Sequence, residues 1–560
     1  MRYFLLFILL PLDAVFATAN TVPLPGNSRS LVEIGRRIYQ EGIRENGELL
    51  QGRSAAQVMF KGKQAACTVC HRKSGYGSSE GKNIIRPIVG NAIFSSKITN
   101  ANTPERSEMH KRALFARSTT RAAYTQESFA NVLRIGIDYE GQELDHLMPR
   151  YELSDNEVVG LEEYLKTLSS RSDPGVDEET IHFATVVMPG AEARQTQAML
   201  DVLHAFFSDK NGGSRSDVKR RTVGSEVMYR SYRRWVLDIW NLTGPKEGWD
   251  AQLEANYIRQ PVFSILSSIG GESWGPLHDF CERREIPCVF PNSKLPITDN
   301  AYYSFYFSRG MTLEAEVLAK YFAKNSEKNG TILQLFNENE KIGEVAAQDF
   351  RASLNNSAAK INIIDIPISA TMDAGSWRVL LKKTHPDSIV VWLSGEDLRK
   401  FGDWNETQDG VRQLYFSATM LGSAIGSNPG FLAKSFQHAI DQVHLIYPYE
   451  LPQMSAKNLL RTTLWMRAKK IEVTELEIQA NSYFAAMVVG DSISHILDQF
   501  SRDYFIERLE HMVARSLVTS VYPRLSLGPG QRFASKGAYI VKYSQQKANF
   551  VEPLSEWIVP

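Results

Sequence analysis

Residues 262–291 read VFSILSSIGGESWGPLHDFCERREIPCVFP. An apolar run with β-branched residues (262–271) gives way to Gly275-Pro276, which opens an amphipathic segment to Glu285. A second apolar run, PCVFP (287–291), follows after one residue. Strand, helix and strand at this spacing form a βαβ unit, and such units build parallel sheets.

Outward from this stretch the alternation continues. HFATVVMPG (182–190) is a strand before the helical QTQAMLDVLHAFFSD (195–209). TLEAEVLAKYFAKN (312–325), VAAQDFRASLNN (345–356) and SWRVLLKKT (376–384) are helical. They interleave with the strands GTILQLFNE (330–338), KINIIDIPI (360–368) and DSIVVWLSG (387–395). Residues 180–560 therefore read as α/β, and their number exceeds one open sheet, which predicts two lobes. SSRSDPGVDEE (169–179) is polar with Pro and Gly, so 171–179 is expected to be a linker.

Before the linker the texture is helical. LVEIGRRIYQEG (from Leu31), QESFANVLRIG (126–136) and SDNEVVGLEEYLKTL (154–168) carry apolar residues at helical spacing. Ser154 with Glu157 three residues on makes a capping box. Residues 31–170 are thus expected to form an all-α domain. At the very start, Met1-Arg2 precedes a short apolar run, and VFATA (15–19) supplies small residues. This is the pattern of a signal peptide over 1–19, with export to the periplasm. No later segment has eighteen consecutive apolar residues, so no transmembrane span is expected after it.

The chain has 560 residues, with Lys+Arg and Asp+Glu equal at 63 each. That balance gives no support to nucleic-acid binding, which leaves a basic footprint. Locally the balance breaks: Lys61, Lys63, Arg72, Lys73, Lys82 and Arg86 face a single acid, Glu80. Such a rim either steers an acidic redox partner or is a solvated face.

That basic stretch contains AACTVCHRKSG (65–75), with Cys67, Cys70 and His71 as C-x-x-C-H. A redox pair would sit after a strand at a helix N-terminus, and zinc would need two further ligands nearby. Haem c uses all three residues: two thioether bonds to the porphyrin and His71 on the iron. A plain disulfide and zinc remain the alternatives. The second axial ligand would come from Met109, His110, His146 or Met148. Met148 is favoured because Pro149 stiffens its loop just before the capped helix; the bland reading is core packing. His/Met ligation closes the iron to substrates and points to electron transfer rather than catalysis.

Two resemblances follow from these residues. Segment 31–170, through GRRIYQEG, C-x-x-C-H and MPRYELSDNEVVGLEEYLKTL, resembles class I monohaem cytochromes c, with an insertion at 43–62. Residues 180–545 resemble type I periplasmic binding proteins of the branched-chain amino-acid receptor kind, the substrate-binding parts of ABC transporters. The carriers are QPVFSILSSIGGESWGPLHDFCERREIPCVFPNSK (260–294), YYSFYFSRGMTLEAEVLAKYFAKN (302–325) and GTILQLFNENEKIGEVAAQDFRASL (330–354). The second resemblance implies a small-molecule ligand in a cleft between two lobes. It places Ser273, Asn292 and Ser293 in that cleft, though such residues also serve as turn formers. The family's usual aromatic is here Ile342, and the acidic residue that pairs a ligand ammonium would fall near Thr419. Glu396 or Asp397 could replace it.

Together these readings make the chain a periplasmic electron-transfer protein coupled to a binding module, or alternatively a solute-binding receptor with an accessory haem. An enzyme is not expected. Cys281 and Cys288 could form a disulfide in the periplasm. GPGQRF (528–533) lacks the ending of a phosphate loop and reads as a turn.

Overall fold

The structure is a computed structural model. It describes residues 26–560 apart from 81–82, 96–121, 169–171, 214–231, 272–273, 298, 300, 326–329, 358–359, 370–373, 401–410, 412, 428–431, 433–435, 437–439, 498, 516–518 and 545–549. The expected signal peptide, Lys82, Met109, His110 and Ser273 lie outside the described residues. The chain divides into two compact units, Met1–Ser170 and Arg171–Pro560.

The first unit is built on two crossed helices. α1 (Gly26–Arg36) continues as one π turn (Arg37–Glu41). It packs on the last helix of the unit, and the two backbones meet at glycines. A Cβ on Gly35 would lie 2.0 Å from the Gly160 carbonyl oxygen and 2.7 Å from Tyr164 Cβ. Ile38, Tyr39, Val158, Leu161, Tyr164 and Leu165 form the core beside this contact.

The unit is not all-α. The inserted residues fold as the hairpin β1 (Gln51–Arg53) and β2 (Met59–Lys61). After the short helices α2 (Thr68–His71) and α3 (Gly90–Ile93), with the hairpin β3 (Ser78–Glu80) and β4 (Asn83–Ile85) between them, comes α4 (Gln126–Arg134). β5 (Arg150–Tyr151) then pairs antiparallel with β1, and α5 (Asp155–Thr167) closes the unit. The helical reading of 31–170 failed at the insertion because Gly47, Gly52 and Gly62 interrupt any helical period there. The box that starts α5 is present: Ser154 Oγ accepts from Glu157 N at 3.2 Å, and Glu157 accepts from Ser154 N at 2.8 Å. Arg44 from the insertion forks onto the same buried Glu157 at 3.0 and 2.8 Å.

The second unit has two sheets. β6 (Thr180–Val187), α6 (Ala193–Gly213), β7 (Arg234–Asn241), α7 (Trp249–Arg259), β8 (Ser264–Leu266), α8 (Gly275–Arg284), β9 (Cys288–Val289) and β10 (Ser304–Phe305) form the first lobe. Its sheet is parallel, in the order β10-β9-β8-β6-β7. The chain then crosses to a second lobe of α9 (Met311–Asn325), β11 (Thr331–Asn337), α10 (Lys341–Asn355), β12 (Asn362–Ile368), α11 (Ala374–Thr384), β13 (Ser388–Trp392), α12 (Gly395–Lys400), β14 (Gln413–Ser417), α13 (Ala418–Ser427) and β15 (Val443–Tyr447). β13 is buried along its whole length, as an apolar run covered on both faces must be.

The chain next returns to the first lobe as α14 (Pro452–Ala468), α15 (Leu476–Ile496) and α16 (Arg502–Arg515). Phe206 of α6 packs on Trp465 and Tyr483, and Phe263 packs on Phe505. It crosses a third time to add β16 (Tyr539–Ser544) and β17 (Phe550–Pro553), antiparallel, to the second sheet. The second sheet runs β12-β11-β13-β14-β15-β16-β17. The stretch expected to be a linker is fastened here: Asp173 accepts from Arg502 N at 2.6 Å, and Pro174 O accepts from the Arg502 guanidinium at 3.2 Å.

Candidate functional site

In the first unit, Cys67, Cys70 and His71 occupy one helical turn. His71 N donates to Cys67 O at 2.8 Å and Cys70 N to the same oxygen at 3.3 Å. Spacings of three and four put their side chains on one face. The segment after the turn loops back to hold it. Gly77 N donates to His71 O, and His71 Nδ1 lies 3.1 Å from the carbonyl oxygen of Arg86. A carbonyl can only accept, so Nδ1 carries the proton and Nε2 has its lone pair free. Burial pushes the His71 pKa down to about 4, which keeps the ring neutral. Burial pushes the Cys67 thiol up to about 12, away from the low range of a redox dithiol.

Met148 reaches the same neighbourhood. It and Cys67 both pack, half-buried, against the core of the first unit. Its segment is fixed on both sides. Met148 N donates to Asp145 O at 3.0 Å, and the Arg150 guanidinium donates to Met148 O. Tyr151 OH donates to Ala65 O, two residues before Cys67. His146 is exposed and paired with Asp145 at 3.1 Å. Among the described residues no three His, Cys, Asp or Glu side chains converge as a metal-ion site. Covalent haem needs no such convergence. Two thiols and a pre-oriented imidazole on one face, with a thioether packed on the same core as Cys67, fit it. Lys61, Lys63 and Arg86 of the basic rim are exposed.

In the second unit, polar side chains gather where the lobes meet. The carboxyl ends of β8 and β9 carry strained residues, Ser267 (φ 49°) and Phe290 (φ 51°). Asn292 follows, with its N donating to Ser268 O at 2.8 Å and Nδ2 donating to Ser267 Oγ at 3.2 Å. Lys294 O accepts from Met311 N of the second lobe at 3.1 Å. One turn on, fully buried Glu314 accepts from Thr419 N at 3.3 Å. Tyr449 OH stands 3.2 Å from Thr419 Oγ1 and donates to Glu477 at 3.3 Å. Tyr522 stacks on Phe307 at 5.4 Å and lies 5.7 Å from Tyr449.

Three atoms of this cluster are buried without a hydrogen-bond partner among the described residues: Asn292 Oδ1, Ser293 Oγ and Glu314 Oε2. Leaving such groups unpaired costs about 1–3 kcal/mol each. Burial raises the Glu314 carboxyl to about 7, against the Thr419 and Ser417 contacts that lower it. Burial also raises Glu477, opposed by the charge of Lys294. Two of the three orphans, Asn292 Oδ1 and the ionised Glu314 Oε2, can only accept, and they come from different lobes. The arrangement suits a guest that donates hydrogen bonds and carries positive charge.

Asn292 and Ser293 thus lie just beyond the carboxyl end of β9, with Asn292 held by Ser267 and Ser268. The carboxylate expected near Thr419 comes from neither Glu396, which is exposed, nor Asp397. The latter is committed to Asn337 Nδ2 at 3.0 Å and Ser394 Oγ at 2.8 Å. It comes from Glu314, which sequence reasoning missed. The signal was present: Glu314 interrupts the buried stripe Met311, Ala315, Leu318, Phe322 of α9. Cys281 and Cys288, the pair that could form a disulfide, are buried and stand as free thiols in this structure. Burial pushes the Cys281 thiol up, which keeps it protonated.

No family model matches the chain, and no curated protein matches it. Among solved structures it is similar to a solute-binding protein of an ABC transporter from Rhodopseudomonas palustris in complex with 3,4-dihydroxybenzoic acid. Identity is 14%, coverage 68% of this chain and 97% of that one, and the TM-score 0.49. A leucine-binding protein from Thermotoga maritima matches at 12% identity over 68% and 99%, TM-score 0.48. A fatty-acid ABC transporter substrate-binding protein from Thermomonospora curvata matches at 13% over 70% and 96%, TM-score 0.48. These are likenesses of chain path, too distant to bear on ligand or activity.

Proposed function

We propose that the chain is a periplasmic solute-binding receptor whose second unit takes an organic cation between its lobes, and whose first unit carries one haem c for electron transfer. The observation behind the receptor reading is the pair of unpartnered acceptors, Asn292 Oδ1 and Glu314 Oε2, set on opposite lobes. A ligand ammonium would satisfy both and hold the lobes together. The role we read in both units is binding and electron transfer rather than catalysis.

The haem reading rests on the His71 Nδ1 contact with Arg86 O, which leaves Nε2 for iron. Cys67 and Cys70 would carry the thioether links and Met148 the sixth position. The group, when bound, supplies reversible one-electron transfer. The chain's own residues keep His71 neutral and hold the Met148 segment. The exposed basic residues around the turn suit an acidic redox partner protein.

Two measurements on the full chain test the readings separately. After periplasmic expression with haem maturation, a reduced-minus-oxidised spectrum should show a c-type haem that Cys67→Ala with Cys70→Ala abolishes; a colourless protein overturns the haem. Alkylammonium ions of increasing size should raise the melting temperature of the second unit, more strongly as pH rises through 7, and Glu314→Gln should remove the effect. A response to carboxylates but to no amine overturns the cation reading.

A further inference from the structure

The first and third connections between the lobes lie side by side: Ala534 N donates to Tyr306 O at 3.1 Å and Ser535 N to Phe307 O at 2.6 Å. Residues of both connections, with the turn at 528–531 and the chain's last residues, line a cavity of about 510 Å³. Its polar wall is Arg309, Gln531, Arg532, Ser535 and Lys536. None of these belongs to the Glu314 cluster.

Three cations, Arg309, Arg532 and Lys536, stand in the wall, which Pro560 also lines. Arg309 forks onto Glu316. Arg532, only 4% exposed, gives Nη1 to Glu510 at 2.8 Å and Nε to Tyr302 O at 2.6 Å, with its guanidinium 4.5 Å from the Phe305 ring centroid. Its Nη2 is buried without a partner, as is the hydroxyl of Ser535. Lys536 Nζ touches only neutral oxygens, Gln531 Oε1 at 2.7 Å and Ser526 Oγ at 3.1 Å. Val559 gives its carbonyl to Lys320 instead, at 2.7 Å. A third cation without a carboxylate, beside two buried unpaired donors, asks for an acceptor-rich anion.

We propose that this cavity is an oxyanion site at the hinge, taking a phosphate, sulfate or carboxylate group on Lys536, Ser535 and Arg532. Because Arg309 stands where the chain enters the second lobe and Lys536 where it re-enters, an anion held by both connections stiffens the hinge.

The test uses the full chain at constant ionic strength. Phosphate, sulfate and succinate are titrated separately against chloride while the melting temperature of the second unit is followed. A saturable rise with at least one of them, weakened about tenfold by Lys536→Gln and also by Ser535→Ala, supports the site. Which anion acts identifies the group: phosphate and sulfate point to tetrahedral oxyanions, succinate alone to a carboxylate. A rise no larger than chloride gives, or one untouched by Lys536→Gln, overturns it. Both variants leave the Arg532–Glu510 pair intact, so they are expected to fold, and neither touches the cluster proposed for the cation.

Discussion

In the first unit, Cys67, Cys70 and His71 share one helical turn, and a single carbonyl fifteen residues on sets the His71 ring. In the second unit, the cluster at the lobe boundary draws Asn292, Glu314, Thr419, Tyr449 and Glu477 from five separate segments. The first site is therefore local and tolerant of what happens elsewhere in its unit. The second exists only when both lobes are folded and facing. Damage to long-range packing should spare the chemistry of the first and erase that of the second.

The largest effect is expected at Arg502. Its guanidinium, buried against the first lobe, donates to the carbonyls of Val262, Phe263, Arg284, Glu285 and Pro174. Arg502→Met leaves several of these unpaired and should cost about 5 kcal/mol. Denaturant unfolding should show the second unit's transition displaced and the first unit's unmoved; a joint shift would break the comparison.

The converse is Gly35→Val, which drives a side chain into the Gly160 backbone and should cost the first unit about 4 kcal/mol. Cation binding by the second unit should survive it unchanged when read by calorimetry.

Glu314 gives the second unit a pH signature opposite in sign to that of His71 in the first, whose lowered pKa makes stability rise with pH. Its carboxyl titrates at about 7 when folded and near 4.5 when unfolded, so the native state keeps a proton that the unfolded chain has lost. This stabilising contribution is full below about pH 4.5 and disappears as pH rises through 7, about 3 kcal/mol in all. Melting curves of Glu314→Gln against the parent between pH 5 and 8 should show the parent alone losing that increment. Equal slopes would place Glu314 in contact with water.

The smallest effect is Ser154→Ala, which removes one half of a capping box and should cost about 1 kcal/mol. Circular dichroism of thermal unfolding is sensitive enough to read it.

How far each site could be read in advance follows the same division. The Cys67–His71 turn is a contiguous string, and the Ser154 box is too, so the local geometry of both was legible residue by residue. The alternation around 262–291 carried the parallel sheets. What escaped was set by folding at a distance. The insertion at 43–62 became strands because β5 offers an edge nearly a hundred residues later. The carboxylate near Thr419 arrives from α9, and nothing in the local sequence of 416–422 could announce it. A charged residue inside an apolar helical stripe was the available sign, and it names a position without naming a neighbour.

The path of the chain through the second unit has a last consequence. The first lobe waits for α14–α16, and the second sheet waits for β16 and β17. A chain emerging N-terminus first can complete its first unit within 170 residues, but both lobes stay open until nearly the whole of the remainder has arrived. During that interval the edges of β15 and the apolar flank of α6 are bare. The protein should depend on holding factors during synthesis far more in its second unit than in its first.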